Sequence, residues 1–450
     1  MRENKDYLIT EKPSRALLIF SIPMIIGNLF QQAYTIVDSA IVGRYVGETA
    51  LAAVGASYAL TSIFICIAIG GGIGASVIIS HHFGGHNYGR MKTGIRTALL
   101  SFLFISLILG GVGLIFSQQI MEVLNTPADA IDIAVTYLNI YFLGLPFLFM
   151  YNILSSMFNA LGESRIPLYL LIFSSVLNIF LDLYMVAVLN LGVAGAAYAT
   201  FISQGISAVL SLIIFVVTLQ QLQGKAEGWF SKTEFSDMSR IALPSILQQS
   251  TVSIGMMLVQ SVVNSFGTQI LAGFSAAMRI ESLCVVPMSA IGNAMSSYTA
   301  QNIGAEKEER ISQGYRMGNF MIIVIAVILC LFLEIAHKPL IALFLDNAAS
   351  SQTIVTGESY LKFIGFFFCM IGFKMAVDGI LRGAGAVRVF TIANLVNLTL
   401  RVTIAKFGAP IWGVSMVWYA VPLGWLANFL ISYGYYRTGK WKEAVSKTVD

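Results

Sequence analysis

Long apolar runs separated by short polar segments recur along the whole chain. Most of these runs reach or exceed the roughly 20 residues that an α-helix needs to cross a bilayer. They lie near 16–42, 50–80, 94–117, 131–158, 166–189, 193–219, 241–266, 270–299, 316–336, 353–381, 387–405 and 412–436. The pattern predicts an all-α polytopic membrane protein with twelve transmembrane helices.

The first run carries one acid, Asp38, in an otherwise uncharged stretch between Arg15 and Arg44. At about 100° per residue its polar residues fall within one arc, about a third of the helix circumference. An ionisable group inside a membrane segment is by default a functional-site hypothesis. The alternative is that Asp38 lies at the helix end, in the headgroup region.

The two halves of the chain resemble each other at an offset of about 220 residues. Pro23 corresponds to Pro244, and Gly72 and Arg90 correspond to Gly292 and Arg310. Because each repeat holds six helices, both repeats enter the membrane from the same side, and their axis lies along the membrane normal. We therefore expect two lobes, 1–219 and 241–450, joined by a cytoplasmic linker at 220–240 and facing each other across a cleft.

Composition agrees with a membrane protein. The 450 residues are 57% hydrophobic and 11% charged, against roughly 25% charged in soluble domains. The net charge of +4 is small, and no basic stretch interleaved with aromatic residues suggests nucleic-acid binding. The four cysteines lie inside apolar runs, as expected of packing thiols.

Lys and Arg residues are distributed unevenly between alternate loops. Only Arg44, Lys338 and Lys406 fall in predicted outside loops. Arg279, Lys362, Lys374 and Arg401 fall within helices, and the rest of the 27 lie in predicted inside segments. Such a bias marks the cytoplasmic side. We expect a multi-pass protein of the inner (plasma) membrane with both termini in the cytoplasm.

Motifs for catalysis or nucleotide binding are missing from the sequence. The glycine run 70–74 has no phosphate-binding lysine after it and suits close helix packing. His81, His82 and His86 lie in a predicted loop, which favours a solvated loop over a metal site. We therefore expect no enzyme activity, no cofactor and no bound metal beyond a possible Na⁺, with transport driven by an ion gradient or by the substrate's own gradient.

Polar groups at membrane depth are the remaining candidates for chemistry. Asn178 and Asp182 share a helix face and, with Asp38, could form a two-carboxylate site that takes up a proton or cation. Asn178 and Asp182 could instead only hold helices together. The second half carries a possible polar site of different composition, comprising Arg279, Glu281, Lys374, Asp378 and Arg401. Lys374 and Asp378, four residues apart, suit a structural pair.

Several segments together resemble the multidrug and toxic compound extrusion (MATE) transporters, and most of all their DinF-like branch. These are 21–25 with Gln31, Tyr34 and Asp38, then 47–54, 161–167, and Asn178 with Asp182. The resemblance covers essentially the whole chain. It implies efflux of organic cations or other amphipathic molecules in exchange for H⁺ or Na⁺.

The resemblance also implies roles for individual residues. In DinF-like relatives the N-lobe cation site maps here onto Asp38, Asn178, Asp182 and Thr200. Gln31 and Tyr34 match positions that line the substrate cavity. NorM-like relatives have an acid in the seventh helix, whereas residues 241–266 contain none.

The repeat and the resemblance predict a substrate cavity lined by the first, fourth, seventh and tenth helices. These helices supply Tyr34, Tyr137, Tyr141, Met256 and Met257. Aromatic and methionine side chains adapt to varied apolar cations. Small-molecule substrates and membrane lipids are the expected partners of a monomer. A lipid or lipid-linked metabolite flippase of the same superfamily is the main alternative, and a membrane-embedded enzyme is a weaker one.

Overall fold

The computed structural model describes residues 6–46, 48–124, 126, 130–345 and 350–442, and within them the chain is helical without strands. Gly47, in one of the motifs above, lies outside these residues. The first half contains α1 (Tyr7–Thr10), α2 (Pro13–Tyr45), α3 (Glu48–Gly84), α4 (Tyr88–Val123), α5 (Ile131–Ala160), α6 (Arg165–Asp182) and α7 (Gly192–Gln220). The second half contains α8 (Lys232–Asn264), α9 (Thr268–Gly304), α10 (Glu308–Ala342), α11 (Ser351–Gly365), α12 (Phe368–Gly383), α13 (Val387–Thr403), α14 (Ala409–Trp412) and α15 (Ser415–Thr438).

Within the described ranges, these helices confirm the predicted all-α membrane fold. Eleven stretches are long and apolar enough to cross a membrane, and α11 with α12 makes the twelfth when the pair is counted as one crossing. The tenth run was expected to form one helix, but it bends by 52° between α11 and α12. The backbone leaves the helix at Phe366 and Phe367, after Gly365. An apolar run does not reveal such a break, because the residues at the bend are as apolar as those around it.

Two helices continue into wide π-helical turns. Leu183–Val188 follows α6, and Ile404–Gly408 follows α13. These turns occupy corresponding places in the two repeats. π-Helical turns are rare, and those that occur are frequently found at functional sites. The ends of α6 and α13 are therefore candidate functional regions.

The chain folds into two compact units. The N-unit is Ile26–Ile246, and the C-unit combines Met1–Ile25 with Leu247–Asp450. The boundaries therefore fall inside α2 and α8, shortly after Pro23 and Pro244, whereas the division drawn from the sequence used the polar segment 220–240. A proline inside a helix removes one backbone hydrogen bond, so each of these helices has a weakened turn close to the boundary between units.

The glycine run of α3 packs in the N-unit against the start of α8. A Cβ atom on Gly70 would lie 2.5 Å from the Ile246 backbone nitrogen, and one on Gly74 would lie 2.6 Å from the Met238 carbonyl oxygen. No side chain fits at such distances. The geometry agrees with the helix-packing role inferred from the sequence.

Residues 222–231 and Glu234 bind to the ends of α3 and α4 that are predicted to face the cytoplasm. We call this segment the N-unit clasp. The Glu227 backbone N–H donates to Thr93 Oγ1 (2.9 Å), and Lys92 donates to the Leu222 carbonyl (2.7 Å). Glu234 is 3% exposed. One of its oxygens lies 2.9 Å from His82 Nε2, and the other accepts from Arg90 Nε at 3.2 Å. His82 is therefore a buried partner of an acid rather than a solvated loop residue.

The C-unit has a corresponding clasp around residues 8–11. Asn302 donates to the Leu8 carbonyl (3.2 Å), and Lys307 donates to the Ile9 carbonyl (3.0 Å). Arg310 donates to the Leu8 and Glu11 carbonyls. Arg90 and Arg310 correspond in the repeat, so each repeat uses the same arginine position to bind the chain at the start of a long crossing helix or directly before it.

Candidate functional site

Polar side chains from three helices meet inside the N-unit. Asp38 and Tyr34 come from α2, Asn178 and Asp182 from α6, and Thr200 from α7. Asn178 is 1% exposed and Asp182 is fully buried. Asn178 and Asp182 face the same way because they are one helical turn apart. Asp182 is the last residue of α6, directly before the π-helical turn.

The side-chain amide of Asn178 connects the members of this polar cluster. Its nitrogen faces Tyr34 Oη and Asp182 Oδ2, both at 2.8 Å, and its oxygen accepts from the Thr200 backbone N–H at 3.1 Å. In this orientation of the amide, each donor faces an acceptor. The Tyr34 hydroxyl also interacts with the Thr200 side chain. The amide thus links α2, α6 and α7.

The two carboxyl groups of this cluster lie within hydrogen-bonding reach of each other. One oxygen of each, Asp38 Oδ1 and Asp182 Oδ1, is buried and has no hydrogen-bond partner among the described residues. Unpaired carboxylate oxygens in a poorly hydrated place repel each other and are costly. A proton shared between the two groups, or a bound cation, would remove both costs.

The structure brings together the four residues predicted to bind the coupling cation, which are Asp38, Asn178, Asp182 and Thr200. The oxygen ligands that Na⁺ requires could come from the two carboxylates and the Thr200 hydroxyl. No cluster of three or more His, Cys, Asp or Glu residues that could hold a metal ion occurs in the part of the chain that the structure describes. The two carboxyl groups and the hydroxyl offer oxygen atoms, which suit a proton or a monovalent cation.

A small pocket adjoins this cluster between α5 and α7. Tyr137, Tyr141, Thr200, Phe201 and Gln204 are among its lining residues, and about 20 Å³ is available to water centres, enough for about one water molecule. Tyr137 lies within electrostatic range of both acids. The Tyr141 hydroxyl donates to the Thr61 carbonyl at 3.3 Å.

The remaining residues predicted for the substrate cavity lie outside this pocket. Gln31 is exposed on α2. Met256 and Met257, 39% and 64% exposed, belong to α8 in the C-unit. Their predicted contact with substrate stays a prediction.

A second polar cluster in the C-unit surrounds Lys374 and Asp378. Their charged groups lie 3.3 Å apart, and both side chains are about 95% buried. Lys374 also donates to Asn394 Oδ1 (3.1 Å), and Asp378 accepts from Ser432 (2.7 Å) and Asn394 (3.5 Å). Since each charge has a charged partner and further hydrogen bonds, this pair has the geometry of the structural pair inferred from the sequence.

The other three residues of the predicted C-lobe site are not part of that cluster. Glu281 is buried and accepts a hydrogen bond from the Tyr360 hydroxyl at 2.6 Å. Arg401 is 9% exposed and lies within electrostatic range of Glu281. Arg279 is exposed. The five residues therefore form a neutralised pair, a buried acid–arginine neighbourhood and a surface residue.

Sequence reasoning missed Tyr360, Asn394 and Ser432, which complete the two C-unit clusters. Tyr360 lies 79 residues from Glu281, and Ser432 lies 54 residues from Asp378. Asn394 could have been noticed as an amide within an apolar helix, although the repeat pairs Asn178 with Arg401 rather than with Asn394. Isolated hydroxyl groups in apolar helices carry no comparable signal.

Two relatives resemble the chain over nearly its full length. It is 32% identical to a probable multidrug resistance protein, YpnP, of Bacillus subtilis (strain 168), over 95% of this chain and 96% of that protein. It is 26% identical to a second probable multidrug resistance protein of the same organism, YoeA, with both chains covered completely. The similarity therefore extends over both repeats.

A solved structure and a family profile also resemble the chain over both repeats. The fold matches an outward-facing multidrug resistance MATE family transporter of the MOP superfamily with a TM-score of 0.91 and 23% identity, covering 99% of this chain and 100% of that one. The MatE family profile matches residues 23–184 and again 244–406, which confirms the internal repeat. The chain belongs to the MatE family of membrane transporters.

Proposed function

We propose that this protein is a multidrug efflux transporter that exports organic cations or other amphipathic compounds in exchange for H⁺ or Na⁺ by alternating access. The observation that carries the proposal is the pair of facing carboxyl groups, Asp38 and Asp182, each with a buried oxygen that has no partner among the described residues. The names of the Bacillus subtilis relatives support the substrate class. The absence of an acid from 241–266 supports placement in the DinF-like branch.

Coupling requires that the ion bind one conformation better than another, because a ligand shifts an equilibrium only by its differential affinity. With Asp38 and Asp182 both ionised, repulsion favours separation of α2 from α6. A bound proton or Na⁺ allows the two helices to close. The hydrogen bonds of Asn178 to Tyr34 and Asp182 transmit this change to α2, where Pro23 provides a weakened turn at which the helix bends.

The same proposal covers location and partners. The Lys and Arg distribution supports an inner (plasma) membrane protein with both termini in the cytoplasm. The substrates are small molecules, the lipids of the bilayer are the surrounding partners, and the working unit is a monomer. No cofactor takes part apart from the coupling ion.

Transport in inverted membrane vesicles tests the proposal. We expect ethidium, a fluorescent organic cation, to accumulate when a proton gradient or a Na⁺ gradient is imposed, and to leave when that gradient is collapsed. One gradient should suffice, and its identity assigns the coupling ion. Accumulation that is independent of both gradients would contradict antiport.

A further inference from the structure

Arg401 of the C-unit is a buried cation without an acid bound to it. It lies in α13, within the membrane-spanning stretch Val387–Trp412, and is 9% exposed. Its Nε has no hydrogen-bond partner, and no ion pair joins it to an acid in the described part of the chain. A buried charge is normally paired or bound to a ligand, and an unpaired one inside a membrane segment marks a candidate site.

The side chains around Arg401 do not hydrogen-bond its Nε. Glu281 lies within electrostatic range of Arg401, but its hydrogen bond is with the Tyr360 hydroxyl. Trp418 packs edge-on against Tyr360 with ring centroids 6.0 Å apart, and its indole Nε1 is also buried without a partner among the described residues. Two donors without acceptors therefore lie near the same tyrosine, Trp418 through a ring contact and Arg401 within electrostatic range.

The internal repeat gives this position a counterpart in the N-unit. Gly162 and Gly385, both with positive φ, precede α6 and α13 and are 223 residues apart. The same separation relates Asn178 to Arg401, and π-helical turns follow both helices. Where the N-unit places an amide against carboxylates, the C-unit places a guanidinium that has no carboxylate bound to it. The corresponding positions thus hold a neutral amide beside acids in one repeat and a cation in the other.

The depth of Arg401 in the membrane limits what its ligand can be. At 1.5 Å per residue it lies about 20 Å along the helix from Val387 and about 16 Å from Trp412. Lipid phosphates lie beyond the ends of the hydrocarbon region, which is about 30 Å thick. A lipid phosphate could therefore meet Arg401 only if the side chain extended toward the membrane surface, whereas the anionic group of a molecule inside the helical bundle could meet it directly.

We propose that Arg401, with the Trp418 N–H as a second donor, binds the carboxylate of a small amphipathic molecule inside the C-unit. A guanidinium matches a carboxylate through two parallel hydrogen bonds. The proposal rests on the efflux function above and deepens it by assigning the anionic group of a substrate to Arg401. Binding itself requires neither an ion gradient nor the Asp38–Asp182 pair.

The test uses the full-length protein in detergent, with benzoate and neutral benzamide as probes of the same ring and size. Thermal unfolding reports binding, because a ligand that binds the folded state raises the melting temperature. We expect benzoate to stabilise the protein more than benzamide does. Arg401→Gln should weaken benzoate binding about tenfold or more and leave the response to benzamide unchanged. Arg279→Gln, which removes an exposed cation of the same unit, is the matched control and should bind benzoate as the unaltered protein does.

Two milder variants keep the test decisive if Arg401→Gln does not fold. Arg401→Lys keeps the charge but loses the planar fork, and Trp418→Phe removes only the second donor, so both should bind benzoate several-fold more weakly. Equal benzoate affinity in these variants and the unaltered protein would overturn the proposal. Stabilisation by phosphatidylglycerol but not by benzoate would assign Arg401 to a lipid and would also overturn it.

An Asp182→Asn background separates this site from the coupling site. Benzoate binding should persist there even though ion-driven transport is lost. Loss of benzoate binding in Asp182→Asn, with retention in Arg401→Gln, would place the anion site in the N-unit and contradict the assignment. Failure of antiport with intact, Arg401-dependent benzoate binding would contradict the proposed function alone.

Discussion

The acid cluster of the N-unit and the Lys374–Asp378 cluster of the C-unit treat buried charge in opposite ways. In the N-unit, two acids face each other, with one oxygen of each left without a partner in the described structure. In the C-unit, Asp378 is matched by Lys374 and held by Ser432 and Asn394. The repeats therefore share a fold but differ in electrostatic design. The Asp38–Asp182 cluster has negative charge that a bound ion can neutralise. The charge of Asp378 is already neutralised by Lys374.

This difference separates a site that can switch from one that stabilises. An ion can shift a conformational equilibrium only where its binding changes the relative energies of two states. The Lys374–Asp378 pair offers little such change, because its charges are already compensated. Breaking that pair should instead affect folding, since it leaves one charge buried without its partner.

The largest expected effect is loss of coupling in Asp182→Asn and Asp38→Asn. An amide cannot exchange a proton or carry the charge that a cation balances. Ion-driven ethidium transport should therefore fall by about a hundredfold or more, a barrier change of at least about 2.7 kcal/mol. The measurement is gradient-driven uptake into inverted vesicles at matched protein levels.

The matched control for these two variants is Asp132→Asn, which makes the same change at an exposed acid of α5. It should transport as the unaltered protein does. Retention of ion-driven transport in Asp38→Asn and Asp182→Asn would remove the switching role from the N-unit.

The next effect concerns stability in the C-unit. Asp378→Asn leaves the Lys374 charge buried without its carboxylate and should destabilise the protein by about 3–5 kcal/mol. The double variant Lys374→Met with Asp378→Leu should recover most of this loss, because it removes both charges together. Thermal unfolding in detergent measures both variants. A double variant as unstable as Asp378→Asn would show that the pair has a role beyond mutual neutralisation. Transport per folded molecule would then have to be compared between the single and the double variant.

A smaller difference should distinguish the two clasps. Glu234→Gln weakens the interactions of Glu234 with His82 and Arg90 and should cost about 1.5–3 kcal/mol. The part of this cost that comes from Arg90, whose side chain is 32% exposed, should fall at high salt. Arg310→Gln in the C-unit clasp removes donors to backbone carbonyls, so its cost should depend less on salt. Unfolding temperatures at low and high ionic strength give the comparison. Equal salt dependence of the two variants would contradict the distinction between a clasp that contains an ion pair and one in which the charged donors bind backbone carbonyls.

The smallest effect is expected for Tyr34→Phe. The change removes the hydrogen bond that Tyr34 accepts from Asn178 and the interaction of the hydroxyl with Thr200, each worth about 0.5–1.5 kcal/mol, and keeps both acids. Transport should fall by several-fold while its dependence on the gradient remains. Tyr58→Phe, on an exposed tyrosine of α3, is the control. A Tyr34→Phe variant without coupling would mean that the hydroxyl itself belongs to the ion site.

The sequence was sufficient to predict the helices and their repeat, because the length of an apolar run and the period of its polar residues are local properties. The meeting of Asp38 with Asn178 and Asp182 was expected from the position of these polar residues within apolar runs and from the family resemblance. The break after Gly365 and the two π-helical turns leave no mark in hydrophobicity.

The surroundings of individual charges were harder to predict. Glu234 was assigned to a polar linker, yet it is buried against residues about 150 positions away. Arg401 was grouped with Lys374 and Asp378 from its charge alone. Which acids and bases meet depends on how helices distant in the sequence pack, and that information is not contained in any one segment.

The two clasps have a consequence for biosynthesis. The N-unit is complete once residue 246 has left the ribosome, whereas the segment around Leu8 must wait about 300 residues for Asn302 and Arg310. Domains generally fold in the order in which they are synthesised, but here the amino-terminal segment is among the last to find its partners. A gene divided at the start of the polar linker would yield two fragments. The first would lack the part of the N-unit that follows the linker, up to Ile246, and the second would lack the Met1–Ile25 part of the C-unit.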